Sequence, residues 1–203
     1  TLGSTVAGAI GVTGEQDRYT FTLGSASLMY FDSLTNNGSI NWTLTGPAGT
    51  PVLNRSFNFN NGETNQPPLN LVAGDYTLTI DASDASGGVT GAYSFRLSEL
   101  SSATALTPGT PTSGSLDPAK ETDLFGFTVL ANERFSFDVQ ERTNGGGSRW
   151  RLFDPYGNIL FSSPFSTTSS DVGTTTLVQP GRNPRLLLGC LHRLLAEPAG
   201  HHE

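Results

Sequence analysis

The sequence predicts an all-β chain of two tandem antiparallel β-sandwich domains, jelly-roll-like, the second incomplete. Three observations carry this. Gly (24 residues) and Pro (12 residues) are too frequent for helices and suit turns. Short runs alternate apolar and polar residues with the period of two that marks half-buried strands. Finally, one phrase is written twice: GEQDRYTFTL at 14–23 returns as KETDLFGFTV at 120–129.

The echo extends well beyond that phrase. A shift of 106 residues aligns Gly8 with Gly114, Glu15 with Glu121, Asp17 with Asp123, Tyr19 with Phe125, Phe21 with Phe127 and Phe31 with Phe137. At a shift of 108, Trp42 meets Trp150, Leu44 meets Leu152, Pro47 meets Pro155, Gly49 meets Gly157 and Phe57 meets Phe165. A repeat on this scale is a repeated domain. The predicted division is a first sandwich over 1–102, a linker over 103–112 rich in Thr, Pro and Gly, and a truncated second sandwich over 113–181.

Within the first repeat, DRYTFTL sets Tyr19, Phe21 and Leu23 against Arg18, Thr20 and Thr22. INWTLTG sets Ile40, Trp42 and Leu44 against Asn41, Thr43 and Thr45. DYTLTID and AYSFRLS do the same with Tyr76, Leu78, Ile80 and with Tyr93, Phe95, Leu97. Each strand therefore offers one face to a core. GPAGT, AGD and similar Gly, Pro, Asn and Asp clusters separate them as turns. Trp42 and Trp150 are in phase with the apolar faces and are predicted to be core.

After Gly181 the pattern breaks. Residues 182–203 (RNPRLLLGCLHRLLAEPAGHHE) hold all three histidines and the single cysteine, Cys190. Residues 1–181 carry 8 basic and 16 acidic side chains, whereas the tail carries three Arg and two Glu. Two explanations fit: a reading-frame shift or truncated gene, or a short helix with Leu187, Leu191, Leu194 and Leu195 on one face. Under both, the second repeat lacks its last strand and is expected to have an open sheet edge.

The net charge of −7 offers no basic footprint for nucleic acid or anionic lipid. No run approaches the roughly 18 apolar residues of a membrane-spanning helix. The lone cysteine cannot close an internal disulfide. Thr1 is not an initiating Met, which reads as a piece of a longer precursor.

Nucleophilic catalysis needs a base beside Ser or Cys, and zinc needs clustered His or Cys. A set from Cys190, His192, His201 and His202 would rest wholly on the atypical tail. No catalytic residue is assigned, and the chain is read as a non-enzyme. Glu15 with Asp17, and Asp81 with Asp84, sit at strand starts and turns, where carboxylates bond nearby amides. The chemical alternative is calcium, which takes several carboxylate oxygens from turns, and Glu15, Asp17, Asp81 and Asp84 are its candidate ligands. For a polymeric ligand the candidate platforms are Tyr30, out of phase with Phe31, and Tyr156, in a turn.

The strand motifs taken together resemble the bacterial pre-peptidase C-terminal domain. They are Gly8, Asp17-Arg18-Tyr19-Thr20-Phe21, Phe31-Asp32, Gly46-Pro47-Ala48-Gly49, Ala73-Gly74-Asp75-Tyr76-Thr77-Leu78 and Gly91-Ala92-Tyr93-Ser94-Phe95. The second repeat matches as far as Asp154-Pro155-Tyr156-Gly157. The resemblance implies a non-catalytic extracellular or cell-surface module pair of a larger bacterial protein, serving spacing, adhesion or presentation of a neighbouring domain. The alternative it implies is a calcium- or polysaccharide-binding accessory of a secreted peptidase or other hydrolase. The implied partners are neighbouring domains of the precursor, or polysaccharide or protein at the cell surface.

Overall fold

The computed structural model describes residues 1–59, 66–82, 89–130, 133–141 and 147–165 in full, and the backbone of 172–176, 185–189 and 193–198. Among them the regular elements are β-strands, with one 3-10 turn at Leu100–Ser102. The chain is all-β, and its sheets are antiparallel but for one short pairing. It divides into two compact units, Thr1–Ser102 and Ala103–Glu203.

Among the described residues the first unit has eight strands: β1 (Val6–Ile10), β2 (Gln16–Leu23), β3 (Ser27–Ser33), β4 (Ile40–Gly46), β5 (Gly49–Ser56), β6 (Leu69–Leu71), β7 (Gly74–Ala82) and β8 (Gly91–Glu99). They form two four-stranded sheets, in the orders β1-β8-β3-β6 and β5-β4-β7-β2. The alternating residues of both sheets meet in one core. Tyr76, Leu78 and Ile80 of β7 face Tyr93, Phe95 and Leu97 of β8 within the same buried cluster. At its centre Phe31 stacks on Trp42, ring centroids 3.9 Å apart. Burying each such side chain contributes about 1.5–3 kcal/mol.

The hairpin between β4 and β5 turns on Gly46 and Gly49. Gly49 has φ +101°, a left-handed conformation that favours glycine. Gly46 lies under the Tyr76 ring, where a Cβ would be 2.2 Å from a ring carbon. Tyr76 is held there by donating to the Val72 carbonyl at 2.8 Å.

Among the described residues the second unit has nine strands: β9 (Thr104–Ala105), β10 (Thr112–Ser113), β11 (Leu124–Thr128), β12 (Arg134–Val139), β13 (Arg149–Phe153), β14 (Ile159–Pro164), β15 (Val172–Thr176), β16 (Arg185–Gly189) and β17 (Arg193–Pro198). Their sheet orders are β10-β17-β12-β15 and β14-β13-β16-β11-β9. Strand for strand this is the topology of the first unit, with β9 added at one edge.

The registers agree as well as the orders. Tyr19 and Phe21 lie opposite Leu78 and Tyr76, and Phe125 and Phe127 lie opposite Leu188 and Leu186. Leu44 faces Leu78, and Leu152 faces Leu188. Phe95 pairs with Val6, and Leu194 pairs with Thr112. The Trp150 core repeats that of Trp42: both indoles are fully buried, each within its unit's apolar cluster.

Two expectations are corrected here. The described residues after 181 are strands, where a short helix was one expectation. Arg185–Gly189 lies between β11 and β13, and Arg193–Pro198 lies between β10 and β12, where β7 and β8 lie in the first unit. The missing strand and open edge expected at the truncation are therefore filled. A consecutive leucine run has no period, so it matches a helix face and a central strand equally; the strands available to pair with it decide. Likewise, the expected linker over 103–112 contributes β9 and the start of β10 to the second unit. Cys190, His192, His201 and His202 lie outside the described residues.

Candidate functional site

The alternation of β2 sends Gln16, Arg18 and Thr20 outward and turns Asp17 and Tyr19 toward the core side. Tyr93 reaches them from β8, in the facing sheet. Its phenol donates to Asp17 Oδ2, and its oxygen lies 2.7 Å from the Tyr19 hydroxyl. The Tyr93 hydrogen goes to the carboxylate, so Tyr19 is the donor in the second bond. Gly8 on β1 leaves the room: a Cβ there would be 2.3 Å from the Tyr93 hydroxyl and 2.9 Å from that of Tyr19. Burial first, then the bonds to Asp17 and Tyr19, push the Tyr93 phenol far above the usual tyrosine range. It is held neutral and cannot act as a base near neutral pH. What the trio does is tie the two sheets together.

Glu15 lies at the start of the same strand. Its Oε2 accepts from the amides of Gly11 at 2.5 Å and Val12 at 3.0 Å, closing the β1–β2 turn. Glu121 repeats the act, accepting from the Asp117 amide at 3.0 Å. The shift of 106 that relates Glu15 to Glu121 also relates Gly11 to Asp117. This carboxylate is a turn clamp written twice.

The four cation candidates do not form one set. Asp81 is registered opposite Gln16, which puts both on the outer face, 3.4 Å apart at Gln16 Nε2 and Asp81 Oδ2. Asp17 is the next residue along from Gln16 and points to the other face, toward Tyr93. A pleated strand thus separates Asp17 from Asp81. Asp84 lies outside the described residues. Among the described residues, no three His, Cys, Asp or Glu side chains gather as a metal would need.

The two tyrosine platforms fare differently. Tyr30 is only 2% exposed, which removes it as a platform. It is out of phase with Phe31, as its position predicts, but both faces of β3 are covered. The 3-10 turn at Leu100–Ser102 packs against β3 and its Leu100 is itself buried. Tyr156 stands 62% exposed at the tip of the β13–β14 hairpin. Asp154 builds that tip, its Oδ1 accepting from the amides of Tyr156 and Asn158, both at 2.8 Å. Gly157 completes it at φ +87°, matching Gly49.

One polar pair was not anticipated from the sequence. Arg96 donates to the buried Asp32 at 2.8 Å across β8 and β3. The two are directly opposed in register. Phe31-Asp32 stood out as a strand motif, but only the pairing of β3 with β8 identifies the partner.

Comparison with protein-family models and with curated proteins finds no match. Among solved structures, the chain is similar to the CUB1-EGF-CUB2 domain of human MASP-1/3. The identity is 8%, covering 95% of this chain and 99% of that chain, with a TM-score of 0.28. A likeness of that grade carries no argument about function.

Proposed function

We propose that the chain is a non-catalytic extracellular module pair of a larger bacterial secreted or surface protein, serving spacing, adhesion or presentation of a neighbouring domain. The observation that carries this reading is the use made of the repeated carboxylates. Glu15 and Glu121 clamp equivalent turns, and Asp17 anchors a tie between sheets. Residues that could have been acid–base or cation chemistry are engaged in holding the sandwich together. The resemblance to pre-peptidase C-terminal domains supports the same reading, since its motif residues Gly8, Asp17, Tyr19 and Tyr93 build the tie between the sheets.

A carbohydrate-binding accessory role is favoured by one observation, the exposed aromatic ring of Tyr156 on a hairpin tip built by Asp154. Limited surface proteolysis of intact producing cells tests the leading reading. Peptides of this chain released from the cell surface are expected, and retention inside protease-protected cells overturns it. A glycan array on the same protein is expected to stay silent. Saturable binding lost on Tyr156→Ala would shift the assignment to the accessory role. A melting shift at about 1 mM calcium would do so for the cation version.

A further inference from the structure

The added strand β9 shows what one sheet edge of this fold accepts. Thr104 and Ala105 pair in parallel with Phe125 and Gly126 on the outer edge of β11, and the Leu106 amide donates to the Gly126 carbonyl at 2.9 Å. The Leu106 side chain then enters the second unit's core, 5% exposed. Directly after it the chain makes a turn in which the Thr110 amide donates to the Thr107 carbonyl, with Gly109 at φ +79°.

The first unit has the same turn. The Ser4 amide donates to the Thr1 carbonyl, and Gly3 has φ +79°. It has the same edge strand, β2, outermost in its sheet. The positions answering to Thr104–Leu106 precede Thr1 by the shift of 106, and among the described residues no strand pairs with that side of β2. The consequence is visible in the aromatics. Phe125 and Phe127, beside β9, are 9% and 2% exposed, whereas their counterparts Tyr19 and Phe21 are only half-buried.

We propose that the outer edge of β2 is a strand-addition site. Its occupant is an extended peptide of the chemistry of Thr104-Ala105-Leu106, running parallel to β2 and leading into Thr1. Thr20 stands where Gly126 stands in β11. Its outward N–H and C=O are the groups that bond the incoming backbone. The leucine of the peptide seats beside Tyr19 and Phe21, as Leu106 does beside Phe125 and Phe127.

The test appends Ser-Ala-Thr-Ala-Leu, the sequence of Ser102–Leu106, directly ahead of Thr1 of the full chain, so that the strand is present at high effective concentration. Amide exchange at Thr20 is expected to slow at least about tenfold relative to the unextended chain. Replacing the appended leucine by aspartate is expected to abolish the effect while leaving residues 1–203 intact. Unchanged exchange at Thr20 overturns the proposal, as does equal slowing with the aspartate version. So does protection that vanishes on dilution, since that would mark pairing of β2 with a second copy.

Discussion

Tyr93 on one sheet of the first unit donates its phenolic hydrogen to Asp17 on the other, and takes a hydrogen from Tyr19 in return. The bond joins residues 76 positions apart and ties one sheet of the unit to the other.

The trio gives the fold a signature at alkaline pH. Tyr93 keeps its proton in the folded state to well above the ordinary tyrosine value near 10. Above about pH 10 the unfolded chain therefore binds fewer protons than the folded one, so stability falls as pH rises. The contribution is fully present below pH 10. Urea midpoints measured between pH 8 and 11 should decline at the upper end, and Tyr93→Phe should flatten that decline. Equal declines in both proteins would assign the slope to other groups.

Gly8→Ala should destabilise the first unit by about 1–3 kcal/mol, the usual range for overpacking. The added methyl would collide with the Tyr93 hydroxyl and ring tip at 2.3 and 2.5 Å, and these cannot withdraw without breaking the bond to Asp17. Combining Gly8→Ala with Tyr93→Phe should recover part of the loss. Chemical denaturation of the two variants checks this.

The paired turn clamps should each be worth about 1 kcal/mol, the net value of a typical intramolecular hydrogen bond. Glu15→Ala is expected to lower the unfolding midpoint of the first unit and Glu121→Ala that of the second. Because they sit in separate compact units, the double variant should cost the sum to within about 0.5 kcal/mol. A coupled, non-additive loss would show that the two turns do not act independently.

Ending the chain at Gly181 removes β16 and β17, an inner strand from each sheet of the second unit. The amide spectrum of residues 1–181 should keep the dispersed resonances of the first unit and lose those of the second. A fully dispersed spectrum would return the tail to the status of an appendage.

Much of the first unit was legible in the sequence, because a half-buried strand writes its burial into every second residue. Tyr76, Leu78 and Ile80 alternate with threonines and are buried as that alternation requires. Gly49 and Gly157, paired by the repeat, share a left-handed turn conformation. What stayed hidden depends on partners far away in sequence. Tyr30 is buried because the turn after β8 packs on its strand, which no local pattern records. The leucines of 185–188 become strand because β11 and β13 flank them. Glu15 and Asp17 stand out in the repeated phrase, but their roles appear only with their partners: amides four and three residues back for one, a tyrosine on the facing sheet for the other.

That the repeated acidic residue is architecture, and not chemistry, is tested most directly by a double-mutant cycle on Asp17→Ala and Tyr93→Phe, followed by urea unfolding. A charge-assisted bond between partly buried partners predicts a coupling energy of about 1–3 kcal/mol, with the two single losses far from additive. Additivity within about 0.5 kcal/mol would mean that Asp17 and Tyr93 contribute separately, and would contradict the sheet-to-sheet tie.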